Sequence, residues 1–175
     1  NAQLLQQAST EIRTLSHLLH PPLLEIAGLV SALRWYVAGF SERSNIKVDL
    51  ELPADFPRLP NDTELAIFRI VQECLTNIHR HSGSSTAAIR IRQKGTRLLV
   101  EVQDNGRGIP TPKQRELMES GRGGVGFGGI RERLRQLGGS LEIASNGGGT
   151  VVSATLEVNE VKKVNKDQEA WTTKQ

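Results

Sequence analysis

Apolar residues along the chain recur at two different periods, and each change of period marks an element. Leu4, Leu5, Ala8, Ile12, Leu15, Leu18 and Leu19 share a helical spacing over residues 2–19. His20-Pro21-Pro22 interrupts them, because a proline disfavours helical geometry in the residue before it, so a break or kink is expected there. A second helix is predicted over residues 23 to about 41, with Trp35 read as a packing residue rather than a stacking platform. Residues 47–52 alternate as a half-exposed strand, and Pro53, Pro57 and Pro60 then mark a loop. Leu65, Phe68, Ile70, Val71, Cys74, Leu75 and Ile78 return to helical spacing, with Asp62 or Thr63 as the expected cap. After a turn at Ser82-Gly83-Ser84-Ser85, residues 87–92 and 98–104 alternate as two strands joined around Lys94-Gly95-Thr96. A glycine-rich segment follows, then a helix over 130–137 ending at Gly138-Gly139, then strands over 141–144 and 151–156. This order predicts an α/β fold, a two-layer sandwich in which one mixed sheet carries helices on one face.

Composition narrows the picture only a little. A length of 175 residues allows one sizeable core, with at most an appendage. The net charge is +3 and the basic residues are scattered, so no direct nucleic-acid binding is read from it. The single cysteine, Cys74, falls on the apolar side of the long helix and reads as a small buried hydrophobe; no disulfide can form within the chain. No stretch approaches the ~18 apolar residues of a membrane span and no signal peptide is visible, which together favour the cytoplasm. The chain begins with Asn1 rather than methionine, so it reads as a piece of something longer, with any sensor or membrane segment lying upstream. Beyond Val158, residues 159–175 are polar and lack a partner element, and are expected to be a disordered tail.

Candidate chemistry lies in three stretches. Asp104-Asn105-Gly106-Arg107-Gly108 follows Leu98, Val100 and Val102, and Asp104 keeps their parity, so a carboxylate arrives on the buried side of a strand. An ionised carboxylate is costly there unless donors meet it, and the glycines beyond let backbone turn and approach a ligand. That combination reads as a pocket floor; the competing reading is a surface hairpin turn. In the long helix, Asn77 lies about 40° around from Glu73, His81 about 80° and Arg80 about −20°, so all four share one polar face. One amide oxygen, a carboxylate and nearby cations suit metal-bound phosphate, since Mg²⁺ takes few protein oxygens and keeps its waters; the competing reading is a solvated helix face. The third stretch, residues 121–129, feeds glycine-rich backbone into a helix N-terminus, a ready anion site. It reads as a mobile lid rather than a dinucleotide loop or P-loop, because no Gly-Lys-Ser/Thr occurs in the chain.

Together these stretches resemble one family. Glu73, Asn77 and His81, then Asp104, Gly106 and Gly108, then Gly124, Gly126, Phe127 and Gly129, then Gly147 to Thr150, are similar in order and spacing to the N, G1, G2 and G3 boxes of the histidine kinase ATP-binding domain, in the GHKL superfamily. Arg80-His81 and the run 129–134 resemble the subgroup of two-component sensor kinases whose partners are response regulators with helix-turn-helix output. The resemblance implies residues 1–22 as the end of the second dimerisation-hairpin helix, whose leucine stripe would complete a homodimeric four-helix bundle, and residues 23–158 as the ATP-binding catalytic domain. It implies ATP and Mg²⁺ as cofactors, Glu73 and Asn77 as catalytic, Asn77 as the Mg²⁺ ligand and Glu73 holding that metal through water. Asp104 would accept the adenine amine, with Gly106 and Gly108 beside the base and ribose and Thr150 supporting Asp104. Arg80 and His81 would contact phosphate, with the amides of Gly124, Gly126, Gly128 and Gly129 around the triphosphate.

The phospho-accepting histidine of that subgroup precedes an acidic residue, and His17, His20, His79 and His81 do not. The expectation is therefore a piece that binds Mg·ATP, does not label itself, and transfers phosphate to a histidine supplied upstream or in trans. The alternatives are a degenerate nucleotide-binding or dimerisation module, and a GHKL serine kinase.

Overall fold

The computed structural model describes residues 22–112 and 127–158. Within them run α1 (Pro22–Ser44), β1 (Lys47–Glu51), α2 (Asn61–Asn77) with a π turn at Ile78–Ser82, β2 (Thr86–Lys94), β3 (Arg97–Asp104), α3 (Phe127–Gln136), β4 (Ser140–Asn146) and β5 (Gly149–Glu157). The leucine stripe of residues 2–19, the expected break at His20-Pro21, most of the glycine-rich segment and the tail 159–175 lie outside the described residues.

The strands form one sheet in the order β1-β2-β3-β5-β4. β1 pairs with β2 in parallel, and the remaining pairs are antiparallel, so the sheet is mixed, as expected from the order of elements. β3 and β5 bury every second residue, Leu98, Val100 and Val102 on one and Val152, Ala154 and Leu156 on the other. The helices cover that face, giving the expected two-layer α/β sandwich.

α2 is the central helix of the cover. Ile67, Phe68, Ile70 and Leu75 are each no more than 1% exposed, and burying four such side chains contributes roughly 6–12 kcal/mol. This outweighs the ~1 kcal/mol of an N-cap, and α2 does begin without a side-chain cap. The expected cap at Asp62 or Thr63 is therefore corrected: the Pro60 carbonyl accepts from the N–H groups of Thr63 and Glu64, Thr63 is buried, and Asp62 pairs with Arg133 of α3 at 2.6 Å. Glu64, almost wholly buried, reaches back so that Oε1 accepts from the Leu59 N–H at 3.0 Å and from Arg58 Nε at 3.1 Å.

α1 changes direction at Gly28, where φ is 78°. Arg58 lies across that bend and donates to the Glu25 carbonyl. By length and mean hydropathy, 1.4, the stretch Leu23–Ser44 passes as a membrane span, against the expectation that no stretch would. Leu24, Leu29, Leu33, Val37 and Phe40 account for the apolarity, because they are buried in the core. Trp35 is 54% exposed and stands outside the buried core.

Candidate functional site

Asp104 closes β3 on its inward side and is 5% exposed. Its Oδ1 accepts the Gly106 N–H at 2.7 Å, the kind of bond a buried carboxylate needs. Beside it in the sheet stand Ala87 of β2 and Thr150 of β5, and beyond Thr150 stands Ser145 of β4. Four strands thus bring Ala87, Asp104, Thr150 and Ser145 into one row at one end of the sheet.

The loop after Asp104 takes its course because three glycines permit it. A Cβ on Gly106 would overlap the Ser82 carbonyl and come within 2.7 Å of the Ser82 side chain and 2.8 Å of Asp104 Oδ1. Gly108 holds φ at 73° with its α-carbon against the Asn146 carbonyl, and Gly149 holds φ at 136° against the Asp104 carbonyl. Any other residue type at these positions would push the backbone off the carboxylate.

Serines fasten the two ends of that loop. Ser82 closes the π turn, its hydroxyl donating to the Ile78 carbonyl at 2.8 Å and accepting the Ser84 N–H at 2.9 Å. Its carbonyl accepts the Arg107 N–H at 2.9 Å, while Arg107 Nε donates to the His81 carbonyl at 2.6 Å. At the far end the Ser145 hydroxyl accepts the Ile109 N–H at 2.7 Å and donates to the Gly149 carbonyl at 2.7 Å. Its single proton being spent there, the 3.1 Å contact with Thr150 Oγ1 runs from threonine to serine.

Glu73 and Asn77 meet directly, Asn77 Nδ2 donating to Glu73 Oε1 at 3.0 Å. Both are partly buried, and with its nitrogen given to Glu73 the Asn77 amide keeps its oxygen for another partner. Arg80 and His81 sit on the π turn and are exposed. The α-helical register that placed all four on one face therefore stops at Asn77. His79, also exposed, sets its ring edge-on to Phe40 at 6.3 Å. Burial pushes the Cys74 thiol well above its usual range, and the carboxylates of Glu73 and Asp104 both push it further, so the acidic groups of the two motifs flank one buried sulfur. Cys74 is thus the small buried hydrophobe the sequence indicates. Burial likewise raises the Tyr36 phenol of α1, a hydrogen bond with Thr76 and the nearby Arg43 opposing it and Glu73 adding to it.

Gly128 and Gly129 fall in the first turn of α3, and nothing lies within 4 Å of a Cβ built on Gly129. Gly124 and Gly126 lie outside the described residues. Among the described residues no group of three or more His, Cys, Asp or Glu side chains stands together as a metal cage. The oxygens of Asn77 and Glu73 instead form the sparse hard donor set that suits a cation arriving with its own phosphate ligands.

Sequence reasoning misses Ser82 and Ser145. Ser145 carries the same signal as Asp104: it keeps the parity of the buried Leu141 and Ile143 and is polar at the strand's end.

Residues 62–160 match the family described as histidine kinase-, DNA gyrase B-, and HSP90-like ATPase. The chain is 33% identical over 166 residues to the sensor histidine kinase MctS of Rhizobium johnstonii, covering 95% of this chain and 35% of that protein. It is 31% identical over 152 residues to the signal transduction histidine-protein kinase/phosphatase DegS of Brevibacillus brevis, covering 86% and 38%. The chain therefore spans little more than a third of the length of these curated relatives. Among solved structures, the histidine kinase domain of the Erythrobacter litoralis EL346 blue-light activated histidine kinase superposes with a TM-score of 0.61 at 28% identity, over 74% of this chain and 61% of that one.

Proposed function

The chain belongs to the histidine kinase-, DNA gyrase B- and HSP90-like ATPase family, and from that premise we propose that residues 23–158 are the ATP-binding kinase domain of a two-component sensor histidine kinase. The observation that carries the reading is the buried Asp104 carboxylate at the sheet's end, held by the Gly106 N–H and faced by glycine-lined backbone. A carboxylate so placed attracts the exocyclic amine of adenine and repels the carbonyl that guanine carries at the same position. Gly106 and Gly108 let the backbone come close to base and ribose, and Thr150 supports the Asp104 row.

At the other side, Asn77 would offer an amide oxygen to Mg²⁺, and Glu73, which accepts from the Asn77 amide at 3.0 Å, would orient Asn77 and the metal's water. When bound with nucleotide, the ion neutralises charge on the phosphates. Arg80 and His81, exposed on the π turn, reach phosphate oxygens, and the amides of Gly128 and Gly129 at the start of α3 meet the triphosphate tail. The γ-phosphoryl goes to a histidine outside these 175 residues, and from there to an aspartate of a response regulator with helix-turn-helix output. The protein pairs with a second copy through an upstream helical hairpin, and the domain works in the cytoplasm, as the cytosolic part of a membrane-bound sensor where such a segment precedes it.

The test is calorimetric titration of the chain with ATP and then GTP, with and without Mg²⁺, repeated on Asp104→Asn. ATP binding, at least tenfold weaker GTP binding and a loss of about 1.5–3 kcal/mol in the variant are expected, the range for a hydrogen bond to a charged group. Equal binding of the two nucleotides, or none, overturns the proposal.

A further inference from the structure

We infer that Ser145 is a positioning residue for base selection, an inference resting on the ATP reading above. Its hydroxyl touches each of the three segments around Asp104 without belonging to the pocket floor. It holds Ile109, where the Gly106–Gly108 loop leaves the carboxylate; the carbonyl of Gly149, where any side chain would overlap the Asp104 carbonyl; and the hydroxyl of Thr150, the register partner of Asp104. The loop's near end is independently held through Ser82, so Ser145 is the fastening of its far end to β4. A Cβ on Gly108 would lie 2.8 Å from Ser145 Oγ, so the loop packs directly against the hydroxyl that fastens it.

Discrimination between an amine and a carbonyl depends on how rigidly the facing acceptor is held. A fixed carboxylate penalises a carbonyl fully, whereas one free to turn or admit water relaxes the penalty. Removing the Ser145 hydroxyl leaves the Ile109 N–H and the Gly149 carbonyl without this partner and loosens the loop on which the Asp104 carboxylate depends. The expected consequence is loss of selectivity, not simply loss of fold.

The experiment compares affinities for ATP and inosine triphosphate, which differ by the amine-to-carbonyl exchange and the proton it brings to the adjacent ring nitrogen, in the wild-type chain, Ser145→Ala and Ser145→Thr, with melting temperatures recorded for each. Ser145→Ala should reduce the ATP preference by about tenfold, and Ser145→Thr, which keeps the hydroxyl, should stay within about threefold of wild type. Should the alanine variant fail to fold, Ser145→Cys, with its weak donor and acceptor sulfur, takes its place with the same expectation. An alanine or cysteine variant that melts lower yet keeps the wild-type preference overturns the inference alone and leaves Ser145 a structural residue. A wild-type chain without preference for ATP overturns the ATP reading and this inference with it.

Discussion

Gly106→Ala is the perturbation whose size the structure allows to be worked out most directly. Gly106 needs no left-handed φ, so the substitution is a question of space alone. The added methyl would overlap the Ser82 carbonyl and approach Asp104 Oδ1 to 2.8 Å, where only slight movement is possible because the Gly106 N–H already sits 2.7 Å from the same oxygen. Relief requires the loop to lift from the π turn. That opens the bond between the Gly106 N–H and the carboxylate, about 1.5–3 kcal/mol, and the bond between the Arg107 N–H and the Ser82 carbonyl, about 0.5–1.5 kcal/mol. A stability loss of roughly 2–4 kcal/mol follows, which for a domain of this size lowers the melting temperature by about 5–15 °C. With Asp104 in its proposed role toward adenine, that bond's share appears again as a roughly 10- to 150-fold weaker ATP affinity. Gly147→Ala is the control, since nothing lies within 4 Å of its Cβ and its φ is not positive; it should be neutral or stabilising by up to about 1 kcal/mol. Thermal melts and calorimetric titration of both variants decide the matter. Gly106→Ala melting and binding like Gly147→Ala would refute the reasoning.

Two further outcomes follow from buried groups. Because burial raises the folded-state pKa of Cys74 above its unfolded value of 9.0, the stability it contributes is whole below pH 9 and is lost as pH rises past it; Cys74→Ala should flatten the alkaline limb of a denaturant-midpoint curve against pH, and an unchanged slope would show the thiol to be accessible. Glu64→Ala removes the acceptor of the buried Leu59 N–H and the partner of Arg58, and should destabilise by about 2–4 kcal/mol in urea melts, whereas a loss below 1 kcal/mol would mean that water satisfies both donors.

Much of this is legible in the sequence because two signals are local. The alternation Leu98, Val100, Val102 by itself places Asp104 inward, and the spacing of four residues brings Asn77 onto Glu73. What is not legible depends on pairings across the chain. Thr150 stands beside Asp104 as the family resemblance implied, but Ser145 joins them only through the strand order, in which β5 lies between β3 and β4. The cap of α2 is misread from sequence because Asp62 has a competing partner in Arg133, 71 residues onward, while the Pro60 carbonyl does the capping. The π turn escapes notice for a related reason: residues 78–82 carry ordinary helical spacing, and the closure comes from the Ser82 hydroxyl and from Arg107 of a distant loop.

The row of Ala87, Asp104, Thr150 and Ser145 also has a kinetic meaning. Its members come from four strands separated by up to 63 residues, so no short fragment of the chain contains it, and sequence-distant pairings of this sort form late in folding. The Glu73–Asn77 pair, within a single helix, needs no such assembly. With the proposed roles, a nascent or truncated chain ending before β5 carries the Glu73–Asn77 pair without the row that would take the base. Nucleotide then acts as a reporter of completed folding, raising the melting temperature only of molecules whose last strand has entered the sheet.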